Sequence, residues 1–131
     1  MRPTSKKTYS LNVELTGLKS NKGNIIVALF DSNKNFLRHP VLYKTKPISN
    51  FNSSSIIVHF EKIPIGEYAI SVIHDENKNQ KLDRNFLGIP KEGFGFSNNP
   101  KIRMGPASFS ECKFSIKDKD VDIRIQMKNL L

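Results

Sequence analysis

The chain has 131 residues, the usual size of one domain and enough to bury a hydrophobic core. Its 21 lysines and arginines outnumber 12 aspartates and glutamates, which gives a formal net charge of +9. The basic residues are spread from Arg2 to Lys128, which predicts a solvated basic surface rather than one concentrated patch. The single cysteine, Cys112, excludes an internal disulfide. No stretch approaches the roughly 18 apolar residues of a membrane-spanning helix.

The first seven residues are polar and basic, and we expect a disordered tail over residues 1–7 followed by a single domain over residues 8–131. A basic start is typical of a signal peptide, but the apolar stretch that should come next is not seen. Instead, Leu11, Val13 and Leu15 alternate with polar residues, which predicts a half-buried strand.

Further strands are predicted along the rest of the chain from apolar runs and from alternation. The cleanest alternation is Val121, Ile123, Ile125 and Met127, which we expect to face the core. About seven short strands separated by turns predict an all-β protein, an antiparallel β-sandwich of the immunoglobulin type. The predicted strands cover residues 11–15, 24–31, 41–46, 54–60, 67–74, 112–117 and 121–128.

One turn has the spacing of a calcium-binding loop. Asp75, Asn77 and Asn79 place an oxygen-bearing side chain at every second position, Lys81 can offer its backbone carbonyl, and Asp83 follows. Alternate residues of this kind turn their oxygens toward one centre in calcium loops. The spacing therefore predicts a candidate calcium site with a structural role.

Other residues of the same turn oppose a cation. Gln80 stands where an EF-type loop has glycine, and Phe86 stands where it has a bidentate glutamate. Lys78, Lys81 and Arg84 add positive charge nearby. The alternative is a turn in which the short polar side chains bind their own backbone.

The segment after this turn is rich in glycine and phenylalanine and is a candidate for contact with a ligand at one end of the fold. The candidate binding residues are Glu92, Phe94, Phe96, Asn98 and Asn99. The segment differs from the RNA-binding octamer, which has a basic residue where Glu92 stands and requires two helices behind its sheet. We expect the glycines to permit close turns while the phenylalanines plug one end of the sandwich.

The sequence predicts a non-catalytic binding or accessory module. It contains no nucleophile elbow, no H-E-x-x-H zinc motif and no phosphate-binding loop. Two alternatives stay open. One is a basic surface that binds nucleic acid or another polyanion, and the other is a metal-dependent hydrolase that uses His74, Asp75 and Asp83.

Three strings of residues resemble the bacterial domain-of-unknown-function family 2141. They are the strand and turn over residues 63–69, the string His74-Asp75-x-Asn77-x-Asn79-x-Lys81-Leu82-Asp83, and the Gly/Phe segment over residues 88–99. The resemblance extends upstream to residues 23–30 and downstream to residues 106–114. Gln80 is a departure, because the family usually has glycine there.

This resemblance implies a small exported β-sandwich, similar to transthyretin-like domains. It implies a periplasmic or extracellular location, because members usually follow a signal peptide. It implies no particular reaction, cofactor or ligand.

Overall fold

The computed structural model describes residues 7–48, 55–80, 90–101 and 107–130. Except for Lys7, the predicted tail lies outside the described residues, and so do Lys81 and Asp83 of the predicted calcium loop.

The described residues form two β-sheets and one short helix. The three-stranded sheet has the order β4-β1-β8, and the other sheet has the order β3-β2-β5-β6 with β7 also paired to β5. This confirms the predicted all-β sandwich. The elements are β1 (Thr8–Thr16), β2 (Asn24–Phe30), β3 (Leu42–Pro47), β4 (Ser55–Pro64), β5 (Gly66–Asp75), β6 (Phe94–Phe96), α1 (Phe109–Cys112), β7 (Phe114–Ile116) and β8 (Val121–Gln126).

Alternating apolar residues supply the core between the two sheets. In β1, Leu11, Val13 and Leu15 are fully buried, as the sequence predicts. In β8, Ile125 is fully buried, Met127 just beyond it is 4% exposed, and Val121 and Ile123 pack against the core from its border. The inward orientation of this last strand is confirmed. Its second half is more buried because Gly95 of β6 packs closely against Ile125 and Met127.

One strand pair departs from the predicted antiparallel arrangement. β1 pairs with β4 in the antiparallel sense, but β1 and β8 run parallel, with Leu11 opposite Val121 and Leu15 opposite Ile125. The alternation of side chains is the same in both arrangements, so the sequence pattern carries no information on strand direction.

The segment before β7 differs from the predicted strand over residues 112–117. Ser108 and Glu111 form a capping box, in which the Ser108 side chain accepts from the Glu111 N–H and the Glu111 carboxylate accepts from the Ser108 N–H. This starts the helical turn α1, and the strand begins only at Phe114. Cys112 is buried, but it belongs to the helix.

The two sides of the sandwich are joined differently. On one side, Phe94 and Lys128 exchange both backbone hydrogen bonds, at 3.0 and 2.7 Å, and so connect the two sheets. On the other side, the edge strands β3 and β4 are linked by side chains. Lys46 Nζ donates to the carbonyl oxygen of Ile57 at 2.9 Å, and Lys44 Nζ donates to that of His59.

Candidate functional site

The turn that follows β5 is closed by the side chain of Asp75, a fully buried residue at the end of that strand. Its Oδ2 accepts from the Gln80 N–H at 2.7 Å, and its Oδ1 accepts from the Asn79 N–H at 3.1 Å. Asn77 Oδ1 also accepts from the Asn79 N–H, at 3.3 Å. The short polar side chains therefore bind the backbone of their own turn.

A cation at this turn would compete with two backbone N–H groups for the carboxylate of Asp75. Among the described residues, no group of three or more His, Cys, Asp and Glu side chains is arranged to hold a metal ion. The donors that the structure describes fit a turn held by hydrogen bonds better than a calcium site, which needs six to eight oxygens. The contributions of Lys81 and Asp83 stay predictions.

Two residues of this turn adopt left-handed backbone conformations. Lys78 has φ of 58° and Gln80 has φ of 67°, a region in which a side chain is unfavourable and glycine is not. An EF-type loop has glycine at the position of Gln80, and the left-handed φ gives that preference a conformational reason.

Two further segments meet this turn at one end of the sandwich. The Glu76 N–H donates to Glu92 Oε2 at 2.8 Å, and Ser20 Oγ donates to Glu76 Oε2 at 2.6 Å. Gly23, with φ of 74°, lies so close to the backbone of Asp75 that any side chain there would collide with it. Glu92, at 6% exposure, thus holds the start of the turn in place.

His74 lies beneath this end of the sandwich and is fully buried. Its Nε2 faces the carbonyl oxygen of Lys22 at 2.8 Å, so Nε2 carries the proton. Among the described residues, its Nδ1 has no hydrogen-bond partner. The imidazole therefore attaches the 17–23 segment to β5 through one nitrogen. A hydrolase that uses His74 would require catalysis by a fully buried imidazole.

Phe94 and Phe96 lie on the outer face of the five-stranded sheet, contrary to the expectation that they plug one end of the sandwich. The orientation follows from Gly95 between them, where an added Cβ would approach Ile125 Cγ2 to 2.6 Å and Met127 Sδ to 3.1 Å. Gly95 therefore faces the core, and its neighbours point outward because successive side chains of a strand alternate. Their rings are 6.1 Å apart in an edge-on contact.

The strand register groups Phe94 and Phe96 with other residues of the same outer face. One row across the sheet is Thr45, Ile26, Ile73 and Phe94, and the next row is Tyr43, Ala28, Ser71 and Phe96. Except for the exposed Thr45 and Tyr43, these residues are only half-buried. We call these two rows the outer apolar face.

The neighbouring part of this sheet is covered. Phe36 lies 5.3 Å from Phe30 and 6.0 Å from Phe109, measured between ring centroids, and Ala69 beneath them is fully buried. Ser97 holds α1 against β5, because its hydroxyl donates to the carbonyl oxygen of Cys112 at 2.5 Å and accepts from the Ile70 N–H at 2.9 Å. The outer apolar face thus begins where this small second core ends.

Asn98 and Asn99 bind backbone groups of neighbouring elements. Asn98 Nδ2 donates to the carbonyl oxygens of Glu111 and Lys113, at 3.2 and 2.8 Å. Asn99 accepts from the Gln126 N–H at 2.8 Å and donates to the carbonyl oxygen of Arg124 at 3.2 Å, which extends the edge of β8. Both amides therefore fasten the Gly/Phe segment to the sandwich.

Cys112 is the single thiol of the chain, and it is fully buried in α1. Burial, together with the negative charge of Glu111, raises the pKa of this thiol to about 11. The neutral thiol is a poor nucleophile, so the environment of Cys112 is that of a packed core residue.

The sequence reasoning did not single out Ser20, Glu76, Ile26 or Ile73. Ser20 and Glu76 lie 56 residues apart, and local spacing contains no information on such a contact. Ile26 and Ile73 stand in continuous apolar runs, and continuous runs without alternation are typical of strands with apolar residues on both faces. The continuous apolar runs in β2 and β5 therefore indicated, already in the sequence, an apolar surface on the outer side of the sheet.

The fold defines a class, a β-sandwich protein. A family model described as "Uncharacterized protein conserved in bacteria (DUF2141)" matches residues 13–124, and the chain belongs to this family. Neither the curated proteins nor the solved structures give a match. No helix of the described residues is long and apolar enough to cross a membrane.

Proposed function

We propose that this protein is a non-catalytic binding module of the bacterial cell envelope and that the outer apolar face is its binding surface. The observation that carries the proposal is the half-exposed state of this face. Tyr43 is 65% exposed, and Ile26, Ile73 and Phe94 lie in the neighbouring row of the same face. Exposed apolar patches rimmed by polar residues mark interaction sites in soluble proteins.

The partner that suits this surface is apolar with acidic flanks. The aromatic rings and β-branched side chains favour an apolar contact. Exposed basic residues lie in the segments that border the face, namely Lys91 before β6 and Arg38 beside Phe36. With a net charge of +9, the protein attracts anionic partners over a longer range.

The side chains that could act as acid, base or nucleophile are engaged in holding the fold, which supports a non-catalytic role. Asp75 binds two backbone N–H groups, His74 is buried against Lys22, and the thiol of Cys112 stays neutral. The candidate calcium, if it is bound, belongs to the turn after β5 and strengthens that turn. An envelope location is proposed because the family resemblance implies export.

The test uses the probe 1-anilinonaphthalene-8-sulfonate, which combines apolar rings with a negative charge. We expect the native protein to bind it and Tyr43→Ser and Phe94→Ser to weaken that binding. Ile57→Ser is the matched control, because Ile57 is 55% exposed on the three-stranded sheet. Near-ultraviolet circular dichroism verifies that each variant is folded.

Two results would overturn the proposal. One is probe binding that Tyr43→Ser and Phe94→Ser leave unchanged, or that Ile57→Ser weakens equally. The other is turnover of a chromogenic ester, phosphate or peptide substrate, with or without added divalent metal, that Asp75→Asn abolishes. The location is tested separately, by fusing the native gene start to a reporter enzyme that is active only outside the cytoplasm.

A further inference from the structure

A second feature concerns the side of the sandwich where the edge strands β3 and β4 face each other. Lys44 and Lys46 are opposite Val27 and Ile25 in the register, and both of these partners are fully buried toward the core. The two lysines therefore extend from the inner face of the five-stranded sheet, at its edge, and reach across to β4.

Each lysine binds a carbonyl oxygen of β4. Lys46 Nζ lies 2.9 Å from the Ile57 oxygen, and Lys44 Nζ donates to the His59 oxygen. Lys44 also places its ammonium group 5.3 Å from the ring centre of Phe60, a core residue that is 2% exposed. The lysine stem thus covers the flank of the core while the charge remains near water.

The carbonyl oxygens that the lysines bind lie on the free edge of β4. Among the described strands, β4 pairs only with β1. The N–H and C=O groups of one strand residue point to the same side, so Ile57 and His59 direct both groups away from β1. An edge with such groups is a template for pairing with another strand, and inward-pointing charges on edge strands are a known means of preventing it.

We propose that Lys44 and Lys46 block the free edge of β4, and that this edge pairs with the same edge of a second copy of this chain when the two ammonium groups are removed. An antiparallel strand edge is complementary to itself, so a twofold pairing of β4 with β4 needs no other partner. β4 is ten residues long, and Ile57, 55% exposed, supplies an apolar cross-strand contact.

The test compares variants that have lost the same charge. Lys44→Met with Lys46→Met keeps the stems but removes both ammonium groups. Lys44→Arg with Lys46→Arg keeps the charge at the edge. Lys117→Met with Lys119→Met removes two exposed charges from the turn between β7 and β8. Sedimentation velocity over a concentration series measures self-association, and amide hydrogen exchange locates it.

We expect self-association at least about tenfold stronger than in the parent for Lys44→Met with Lys46→Met, and for neither of the other two variants. In its associated form, the amides of Ile57 and His59 should exchange more slowly. The lysine contacts are exposed, so their loss should leave the fold intact. If the pair nevertheless fails to fold, Lys46→Met alone is judged by the same two measurements.

The proposal is overturned if the folded methionine variant sediments as the parent does. It is also overturned if the associated form leaves the amides of Ile57 and His59 unprotected, or if the Lys117 and Lys119 pair associates equally well. The last result would show a general effect of lowered net charge instead of a block at β4.

Discussion

At the scale of single residues, the turn after β5 contains a conformational cost that one substitution can remove. Gln80 has φ of 67°, and the left-handed region disfavours every residue with a Cβ. Its N–H is nevertheless required, because it donates to Asp75 at 2.7 Å. Glycine would keep this hydrogen bond and remove the steric cost.

We therefore expect Gln80→Gly to raise the free energy of unfolding by roughly 0.5–1 kcal/mol. Equilibrium denaturation in urea measures the change. Asn79→Gly is the control, because Asn79 is not among the residues of positive φ and should lose stability instead. A Gln80→Gly variant less stable than the parent would contradict the conformational argument.

Asp75 separates the two interpretations of the same turn. If its carboxylate serves the backbone of the turn, Asp75→Ala should destabilise the protein by roughly 1–3 kcal/mol in chelator, because two N–H groups lose a buried partner. Thermal melting with several millimolar calcium and with chelator gives the measurement. Asp75→Asn, which keeps an acceptor oxygen, should lose less.

Calcium binding, if present, should be weak, with a dissociation constant on the order of 10⁻⁴–10⁻³ M. A melting temperature that rises with calcium in the parent but not in Asp75→Ala would establish the cation site. Equal melting of the parent in both buffers, together with the loss in Asp75→Ala, would establish the hydrogen-bonded turn.

At the scale of elements, β6 approaches the core closely because it contains Gly95. An added methyl group would lie 2.6 Å from Ile125 Cγ2. We expect Gly95→Ala to cost roughly 1–3 kcal/mol of stability, since β6 must move away from β8. Chemical denaturation measures this cost.

Gly66 at the start of β5 is the matched control for Gly95. A Cβ there would meet Tyr68 at 3.4 Å, an ordinary contact, and Gly66 is not among the residues of positive φ. Gly66→Ala should therefore change stability little. Equal losses in the two variants would show that the close packing of β6 is not the cause.

Cys112 in α1 should make the stability of the protein depend on pH in the alkaline range. In the unfolded chain the Cys112 thiol ionises near its ordinary pKa of 9.0, whereas in the folded protein burial and Glu111 raise the pKa to about 11. Because the pKa is higher in the folded protein, the contribution of the neutral Cys112 thiol to stability is fully present below about pH 9. That contribution is lost as the pH rises through about 11. The loss should reach up to roughly 2–3 kcal/mol.

Denaturation of the parent and of Cys112→Ala at a series of alkaline pH values tests this. Burial and Asp31 raise the pKa of Tyr68 as well, so both proteins lose some stability at high pH. Only the difference between them reports on Cys112. The raised pKa of Cys112 would be contradicted if the difference in the free energy of unfolding between the two proteins stayed constant over the range of the titration, roughly pH 8 to 11.

At the scale of the whole molecule, the net charge of +9 is dispersed over strands and turns. We expect only weak binding to DNA or RNA, which falls steeply as salt rises, because phosphate contacts without base contacts behave in this way. Titration of a fluorescent oligonucleotide at about 0.15 M salt measures it. A sequence-specific submicromolar complex would favour the nucleic-acid alternative.

The sequence by itself determined the fold class and the orientation of most strands, because alternation of apolar residues decides which face of a strand is buried. Leu11, Val13, Leu15 and Ile125 are buried as their spacing predicts. It also located the turn at Asp75, because short polar side chains at alternate positions act within a few residues.

Only the tertiary structure decided what depends on contacts between distant segments. The parallel pairing of β1 with β8, the contact of Ser20 with Glu76 and the reach of Lys46 to Ile57 join residues that no local pattern relates. The outward direction of Phe94 and Phe96 likewise follows from Gly95 packing against β8. Local periodicity specifies which face of a strand is buried, whereas the neighbour on that face is set by the packing of the whole chain.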